Sequence, residues 1–106
     1  MNESLEAVAT TQAPAALGAY SQGVKANGFV FVSGQLGIDP ATGELAGATA
    51  GEQAAQALKN IKNILDAAGS SLDKVVRATI YMKNVDDFHE VDTVYAQTFT
   101  VSVKPA

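Results

Sequence analysis

A predicted helix with sequence signals at both of its ends is the feature that most constrains the fold of this chain. Residues 49–68 begin with Thr49 and Glu52 in the T-x-x-E spacing of a capping box, which satisfies two unpaired helix amides. Gly69 stands where a left-handed residue closes a helix. Apolar side chains recur at helical spacing at positions 54, 58, 61, 65 and 68. The pattern predicts an amphipathic helix that covers one apolar surface.

A β-hairpin is predicted ahead of this helix. Asn27-Gly28 supplies the positive φ angles that a tight hairpin turn requires, and apolar-rich runs flank it at residues 20–25 and 29–33. Residues 29–32 are apolar at every position. Such a strand is typically covered on both faces, here by helices on one face and by a second subunit on the other.

The remaining segments predict a small α+β fold. Polar residues 1–12 suit a tail or a short first strand, and a turn at residues 39–43 is flanked by short strands near 36–38 and 44–45. Residues 75–83 alternate as a strand, and a second helix begins at Asn84 and ends near Thr100. We therefore expect a mixed sheet with two helices on one face. The other face, which carries Phe29 or Val30, would remain apolar, so we predict a homo-oligomer.

Composition narrows the function classes. The 106 residues suit one domain, and the hydrophobic share of 47% indicates a folded chain. A net charge of −4 argues against binding to a phosphate backbone. The chain has no Cys and one His, His89, so a thiolate nucleophile and a metal site lack their ligands. The glycines form no phosphate-binding motif. With no signal peptide or membrane-length apolar run, we expect a cytoplasmic protein.

Five separate motifs, in order and at the expected spacings, resemble the RidA (YjgF-type) family of enamine/imine deaminases. They are APAALGAYSQG at 13–23, FVSGQ at 31–35, DPATGE at 39–44, AAGSSLDKVV at 67–76 and DDF at 86–88. The resemblance implies a chorismate-mutase-like fold and a trimer with clefts between subunits. It implies hydrolysis of reactive 2-imino acids, of the 2-aminoacrylate and 2-iminobutanoate type, to 2-keto acids and ammonia. It implies no cofactor.

The resemblance also implies substrate-binding residues. The family's pocket tyrosine corresponds to Tyr20, its Ser-Gly pair to Ser33 and Gly34, and its aromatic residue on the second helix to Phe88. A cleft-facing Asn is common four residues beyond that aromatic, whereas this chain has Asp92. A carboxylate there would repel a carboxylate substrate unless it is paired or protonated. No residue is assigned with certainty as catalytic.

The resemblance raises a question about activity. In the family, Pro-Ala is followed by an arginine that clamps the substrate carboxylate, and here Pro105-Ala106 close the sequence. We expect a single RidA-like domain over residues 1–106 that lacks the family's final two strands and a Glu on the last of them. Lys104 and Arg77 are the candidate replacement cations, and we expect this form to be impaired as a deaminase.

Two other functions stay open. A non-catalytic small-molecule-binding or regulatory trimer would keep the assembly and an altered pocket, and it is favoured by Asp92 and the unmatched arginine. A ribonuclease or translation inhibitor, which older family names suggest, is the least favoured because the net charge is −4 and no basic stripe is present. In the deaminase, catalysis would come from placing the substrate and polarising its C=N bond.

Overall fold

A computed structural model describes residues 5–106 of the chain as a small α+β fold. Short 3-10 turns at Leu72–Lys74 and Val85–Asp87 join longer elements. In chain order, those elements are β1 (Glu6–Val8), β2 (Gly23–Ala26), β3 (Phe29–Val32), β4 (Ile38–Asp39), β5 (Glu44–Leu45), α1 (Ala50–Ala67) and α2 (Phe88–Thr98). The predicted α+β architecture with two helices is confirmed.

The predicted hairpin forms the centre of a three-stranded antiparallel sheet with the order β1-β2-β3. Asn27 and Gly28 connect β2 and β3 with φ angles of +52° and +82°, as a primed hairpin turn requires. The first strand expected within residues 1–12 is β1, although residues 1–4 lie outside the described part. The turn at 39–43 joins β4 and β5 in a separate two-stranded sheet, with Gly43 at φ +76°.

Helix α1 begins and ends as predicted. Thr49 accepts a hydrogen bond from the Glu52 amide, and the Glu52 carboxylate accepts one from the Thr49 amide at 3.1 Å. Gly69, with φ +82°, follows the last turn. The helix packs its buried Ile64 and Ala68 against Val8, Ala13 and the inner side chains of β3. This contact is the hydrophobic core between α1 and the sheet.

The buried stripe of α1 differs in part from the predicted one. Leu65 and Ala68 are buried as expected, but Ala54, Leu58 and Ile61 are only half-buried. The fully buried positions are Asn60 and Ile64. Asn60 is polar, and it occupies the core because its amide donates to the backbone carbonyls of residues 36 and 38 at 3.2 and 2.9 Å. A scan for apolar residues therefore misses the centre of the buried face.

Helix α2 begins later than predicted, at Phe88, after the 3-10 turn at Val85–Asp87. Asn84 still starts this segment, because its side chain accepts from the Asp86 amide at 2.9 Å. Val91 and Phe99 are buried, and α2 packs against α1. No helix in the described part of the chain is both long enough and apolar enough to cross a membrane.

The prediction of a regular strand over residues 75–83 is wrong for the described structure. This extended segment pairs with the backbone of Ala106 alone: the Ala106 amide donates to Val76 O at 2.9 Å, and the Ala78 amide donates to Ala106 O at 2.8 Å. A single pairing of this kind is parallel, but it does not make a ladder. The parallel component of the expected mixed sheet is reduced to this contact among residues 5–106.

The outer face of the three-stranded sheet is apolar and exposed. Val30 and Val32 point toward the core, whereas Phe29 and Phe31 are 59% and 61% exposed. Val24 and Ala26 of β2 lie opposite Phe31 and Phe29, and cross-strand partners share a face. The four-residue apolar run of β3 thus has one covered and one uncovered face in a single chain. We call the side of the sheet that carries Phe29 and Phe31 the outer sheet face.

Candidate functional site

The end of β3 brings three of the predicted site residues close to one another. The Ser33 amide donates to Gln22 O at 3.0 Å, which continues the hairpin pairing one step beyond the strands. The Ser33 hydroxyl donates to Ser21 O at 2.5 Å. Tyr20 precedes Ser21 directly, and Gly34 follows Ser33. We call residues 20–22 with 33–34 the Tyr20 corner.

The Tyr20 corner presents open hydrogen-bonding groups. Because the Ser33 hydroxyl gives its proton to a backbone carbonyl, its oxygen keeps lone pairs for an incoming donor. The Gly34 amide donates to no acceptor within residues 5–106. No atom lies within 4 Å of the position that a Gly34 side chain would take. A ligand can therefore approach this backbone closely.

A cleft of about 670 Å³ lies beside the corner. Its walls are the end of β1, the loop that follows, and the Tyr20 segment; the lining residues are Ala7–Thr11, Ala15, Ala16 and Tyr20–Gln22. The Tyr20 ring is 75% exposed. The wall of the cleft is mainly apolar, and its lining includes three residues that carry a hydroxyl group, Thr10, Thr11 and Tyr20. A concave site of this composition is suitable for a small molecule with a few polar groups.

Phe88 and Asp92 lie on helix α2. They stand four residues apart on α2, so they share one side of the helix, which we call the α2 face. Phe88 is 56% exposed and Asp92 is exposed as well. Neither residue lines the cleft beside Tyr20. The structure thus places Ser33 and Gly34 next to the Tyr20 segment through the hairpin backbone, and of the five predicted binding residues Tyr20 alone lines this cleft.

The two candidate cations have different surroundings. The Lys104 ammonium donates to Phe99 O at 2.9 Å, at the C-terminal end of α2, where a positive charge suits the helix dipole. Arg77 is exposed in the extended segment and forms no ion pair with any residue from 5 to 106. Asp92 likewise has no ion pair within that range. The same residues contain no group of three or more His, Asp or Glu that could hold a metal.

A contact between the helices fixes the α2 face. The Glu90 carboxylate accepts a hydrogen bond from the Gly51 amide at 2.8 Å, in the first turn of α1. A side chain at Gly51 would place its Cβ 2.5 Å from that carboxylate oxygen. The negative charge lies at the positive end of the α1 dipole. Glu90 therefore sets the position of α2, a role that the sequence pattern did not indicate.

The pKa shifts that the structure produces lie outside the Tyr20 corner. Hydrogen bonds from the Thr49 backbone, and next from its hydroxyl, lower the pKa of Glu52 below its ordinary value of 4.5. Burial raises the pKa of Tyr95 above its ordinary value of 10.0. The first shift belongs to the α1 cap and the second to the packing of α2. Neither group is therefore a candidate proton donor or acceptor in the cleft.

Two buried amides that sequence reasoning missed hold the loops around the corner. Gln22 bonds the loop of residues 10–14, and Asn60 bonds the segment that follows Gly34. The signal for Asn60 was available, since it stands four and eight residues before the buried Ile64 and Ala68. Gln22 gave no comparable signal because its partners are backbone groups of an irregular loop.

Comparison with known proteins identifies the family. The family model described as Endoribonuclease L-PSP matches residues 10–106. The chain is 46% identical over 95 residues to the 2-iminobutanoate/2-iminopropanoate deaminase of Bos taurus, an alignment that spans 90% of this chain and 69% of the bovine protein. The chain belongs to the endoribonuclease L-PSP family, which includes the RidA proteins.

Solved structures show the same fold. RidA from an Antarctic Psychrobacter superposes with a TM-score of 0.90 at 40% identity, covering 95% of this chain and 80% of the RidA chain. Escherichia coli TdcF with bound serine gives a TM-score of 0.86 at 38% identity, covering 90% and 74% of the two chains. The resemblance that the motifs indicated is confirmed at the level of family and fold.

Proposed function

We propose that this protein is a deaminase that hydrolyses small 2-imino acids to 2-keto acids and ammonia. The observation that carries the proposal is the Tyr20 corner, where Ser33 is bonded to the backbone next to Tyr20, the Gly34 amide is unengaged among residues 5–106, and an open cleft lies against Tyr20 and Gln22. The family membership supports the chemistry, since relatives about 46% identical are named 2-iminobutanoate/2-iminopropanoate deaminases.

The proposed reaction depends on the placement of the substrate and the attacking water more than on a nucleophilic side chain. Water adds its oxygen to the imine carbon, the C–N bond breaks, and the nitrogen leaves as ammonia with protons from the water. The Gly34 amide donates to the substrate carboxylate, and the Ser33 oxygen accepts from the imine nitrogen or from the water. The Tyr20 hydroxyl closes the cleft and orients the same groups. Preorganised donors of this kind lower the barrier without forming a covalent intermediate.

We propose further that the site is completed by a second copy in a homotrimer. Phe88 and Asp92 are exposed and lie apart from the cleft of their own chain. The outer sheet face is apolar and uncovered, and such a surface usually marks association. An assembly that buries this face would allow the α2 face of one chain to meet the Tyr20 corner of the next. Cytoplasmic location and independence from cofactors stay predictions.

A coupled assay tests the reaction. Threonine dehydratase supplies 2-iminobutanoate, and semicarbazide traps the imine as a semicarbazone that absorbs in the ultraviolet. The purified full chain is expected to lower semicarbazone formation relative to heat-denatured protein, and Tyr20→Phe to weaken this effect about tenfold. Tyr81→Phe removes the same hydroxyl from an exposed position outside the corner and is the matched control. A chain that leaves semicarbazone formation unchanged would contradict the deaminase proposal.

The same assay measures the impairment expected from the resemblance, by comparison with the bovine relative. The cation that would meet the substrate carboxylate is proposed to be Arg77 or Lys104. Arg77 is the better candidate because its guanidinium has no ion-pair partner within residues 5–106, whereas Lys104 already holds the Phe99 carbonyl. Arg77→Gln should raise KM more than it lowers kcat if this side chain binds the carboxylate.

Asp92 favours a second candidate, a non-catalytic trimer that binds neutral or cationic molecules. An exposed carboxylate with no ion-pair partner among residues 5–106 repels anionic ligands and attracts amines. Differential scanning fluorimetry separates the two functions: 2-keto acids should raise the Tm if the protein is a deaminase, and amines alone should raise it if it is the binding module. Ribonuclease activity stays the least supported, because the net charge is −4.

A further inference from the structure

We propose that Gln22 is a positioning residue for the cleft, because its buried amide fastens the loop that carries Tyr20. Its side chain is almost fully enclosed, with 6% of the residue exposed. The catalytic consequence depends on the deaminase function proposed above, whereas the structural consequence does not.

Both ends of the Gln22 amide are used. Its oxygen accepts from the Thr10 amide at 2.7 Å. Its nitrogen donates to the backbone carbonyls of Thr10, Ala13 and Pro14 at 3.1, 3.2 and 2.8 Å. Two N–H groups therefore serve three acceptors, with one proton shared. One side chain meets the hydrogen-bonding needs of four backbone groups in a loop without regular structure.

These bonds close a loop around Tyr20. The contact between Gln22 and Pro14 O spans eight positions in sequence, and Tyr20 lies within that span. Residues 15–19 are exposed. The loop is therefore held mainly at its ends, by the Gln22 side chain near Pro14 and by the backbone at Ser21 and Gln22. Without the amide, the closed segment would regain conformational freedom, and Tyr20 would lose its fixed position.

Gln22 also links the loop to the serine side of the site. Its backbone carbonyl accepts from the Ser33 amide at 3.0 Å. A single residue thus connects Ser33 with the loop of residues 10–14, which contributes Thr10 and Thr11 to the cleft wall. A displacement of the Gln22 side chain would change the distance between that wall and the Ser33–Gly34 backbone, which is the distance that a substrate bridges.

Only a side chain of this length with both a donor and an acceptor meets these requirements. Gln22→Met keeps nearly the same volume but leaves three carbonyls and one amide without their partner. Gln22→Glu keeps the acceptor and loses the donors while the introduced carboxyl is ionised. When protonated, that carboxyl recovers one donor. The two variants therefore predict different responses to pH.

The test measures loop order and catalysis separately. Chymotrypsin cleaves after aromatic residues, and mass spectrometry gives the rate of cleavage after Tyr20 relative to cleavage after the remote Tyr81, which is 93% exposed. Gln22→Met is expected to raise this ratio about tenfold and to raise KM for the imine more than it lowers kcat. Gln22→Glu should show the raised ratio at pH 8 and a smaller one at pH 5, because the protonated carboxyl recovers one donor. The two ratios can be compared because cleavage after Tyr81 is an internal reference that cancels the pH dependence of the protease.

Controls distinguish positioning from general destabilisation. Ile64→Val removes one methylene from a side chain that is fully buried beneath the hairpin, and Gln12→Met changes an exposed glutamine of the same loop. Neither control should alter the Tyr20 to Tyr81 cleavage ratio or KM.

Four results decide the proposal. An unchanged cleavage ratio in both Gln22 variants overturns it, as does a ratio raised equally by Ile64→Val. Faster cleavage after Tyr20 with an unchanged KM overturns the positioning role in catalysis. Faster cleavage in a protein that shows no deaminase activity even as wild type supports the fastening role, and it refutes the function proposed above instead.

Discussion

The Tyr20 corner and the α2 face differ in how completely one chain builds them. The corner is fastened by the Ser33 hydroxyl, by the hairpin backbone and by two buried amides. The α2 face is held by the contact of Glu90 with helix α1, and its side chains Phe88 and Asp92 do not line the cleft of their own chain. If the site is shared between chains as proposed, the substrate contacts of the corner are preorganised within one chain, and those of the α2 face are completed by a neighbouring chain.

The largest effect should come from breaking the surface that would bring neighbouring chains together. Phe31→Asp places a charge at the centre of the outer sheet face, which cannot be buried against apolar residues without a partner. Light scattering should give three times the chain mass of 10.9 kDa for the wild type and the mass of one chain for the variant. Deaminase activity should be lost together with the assembly.

Leu45→Asp is the matched control, because Leu45 is similarly exposed but lies in the separate two-stranded sheet. A wild type that elutes as a single chain, or a Phe31→Asp variant that stays assembled, would contradict a shared site.

The second effect concerns the hydrogen bonds by which Asn60 holds the segment that follows Gly34. Asn60→Leu keeps a side chain of similar size in the buried position but removes the donor that the partly buried carbonyls of Leu36 and Ile38 accept from. Each such loss costs on the order of 1–3 kcal/mol of unfolding free energy. Urea denaturation should show a decrease of about 3 kcal/mol for this variant.

Asn63→Leu, on the same helix, breaks one bond to Gln12 O that is exposed, and should cost less than about 1 kcal/mol. Equal decreases in unfolding free energy for the two variants would mean that the buried Asn60 amide stabilises the protein no more than the exposed Asn63 amide does.

How much of the fold and of the candidate site the sequence predicts depends on whether the feature is formed by nearby or by distant residues. The hairpin and α1 follow from local chemistry, since Asn27-Gly28 and the capping box each determine a structure within four residues. Tyr20, Ser33 and Gly34 came from the family resemblance, and the structure brings them together at the end of one strand. These features depend on neighbours in sequence or on motifs that other proteins preserve.

The missed features depend on distant partners. Gln22, Asn60 and Glu90 act on backbone groups that lie between 8 and 39 positions away in the chain. Helical spacing can mark Asn60 as a buried position, but no periodicity identifies the distant backbone groups that these side chains bind. The prediction of a strand at residues 75–83 was wrong because its local signal was not sufficient. The alternating pattern is typical of a strand, but a strand also needs a paired neighbour, and among residues 5–106 this segment pairs with Ala106 alone.

Gly34 and Gly28 test whether the backbone of the Tyr20 corner contacts substrate. Gly34 has no positive φ and no atom within 4 Å of a potential side chain, so Gly34→Ala should leave the unfolding free energy nearly unchanged. If substrate approaches this backbone, the added methyl group should raise KM about tenfold. Gly28→Ala meets equally open space but a φ of +82°, and should cost about 1 kcal/mol without changing KM.

Urea denaturation and steady-state kinetics measure both variants. A Gly34→Ala enzyme with unchanged kinetics would remove this backbone from the substrate site.

The smallest effect concerns the N-terminus of α1, which holds α2 through Glu90. The pKa of Glu52 is lowered by the Thr49 cap, so the cap stabilises the protein above the ordinary pKa of 4.5 and loses that contribution as the pH falls below it. Thr49→Ala should therefore lower the Tm at pH 7, and the difference from wild type should shrink below pH 4. Glu52→Gln keeps the capping geometry and should abolish this pH dependence. A Tm difference that is constant from pH 7 to pH 3 would contradict the assignment.

Mixing two damaged chains tests the shared site most directly. Tyr20→Ala and Phe88→Ala each remove an exposed side chain from one of the two surfaces, and each homo-oligomer should be nearly inactive in the semicarbazone assay. If each cleft takes its corner from one chain and its α2 face from the next, unfolding and refolding the two variants together leaves about one cleft in four intact. The mixture should then regain about a quarter of the wild-type activity. A mixture no more active than its two components would place both surfaces in the same chain and contradict the account.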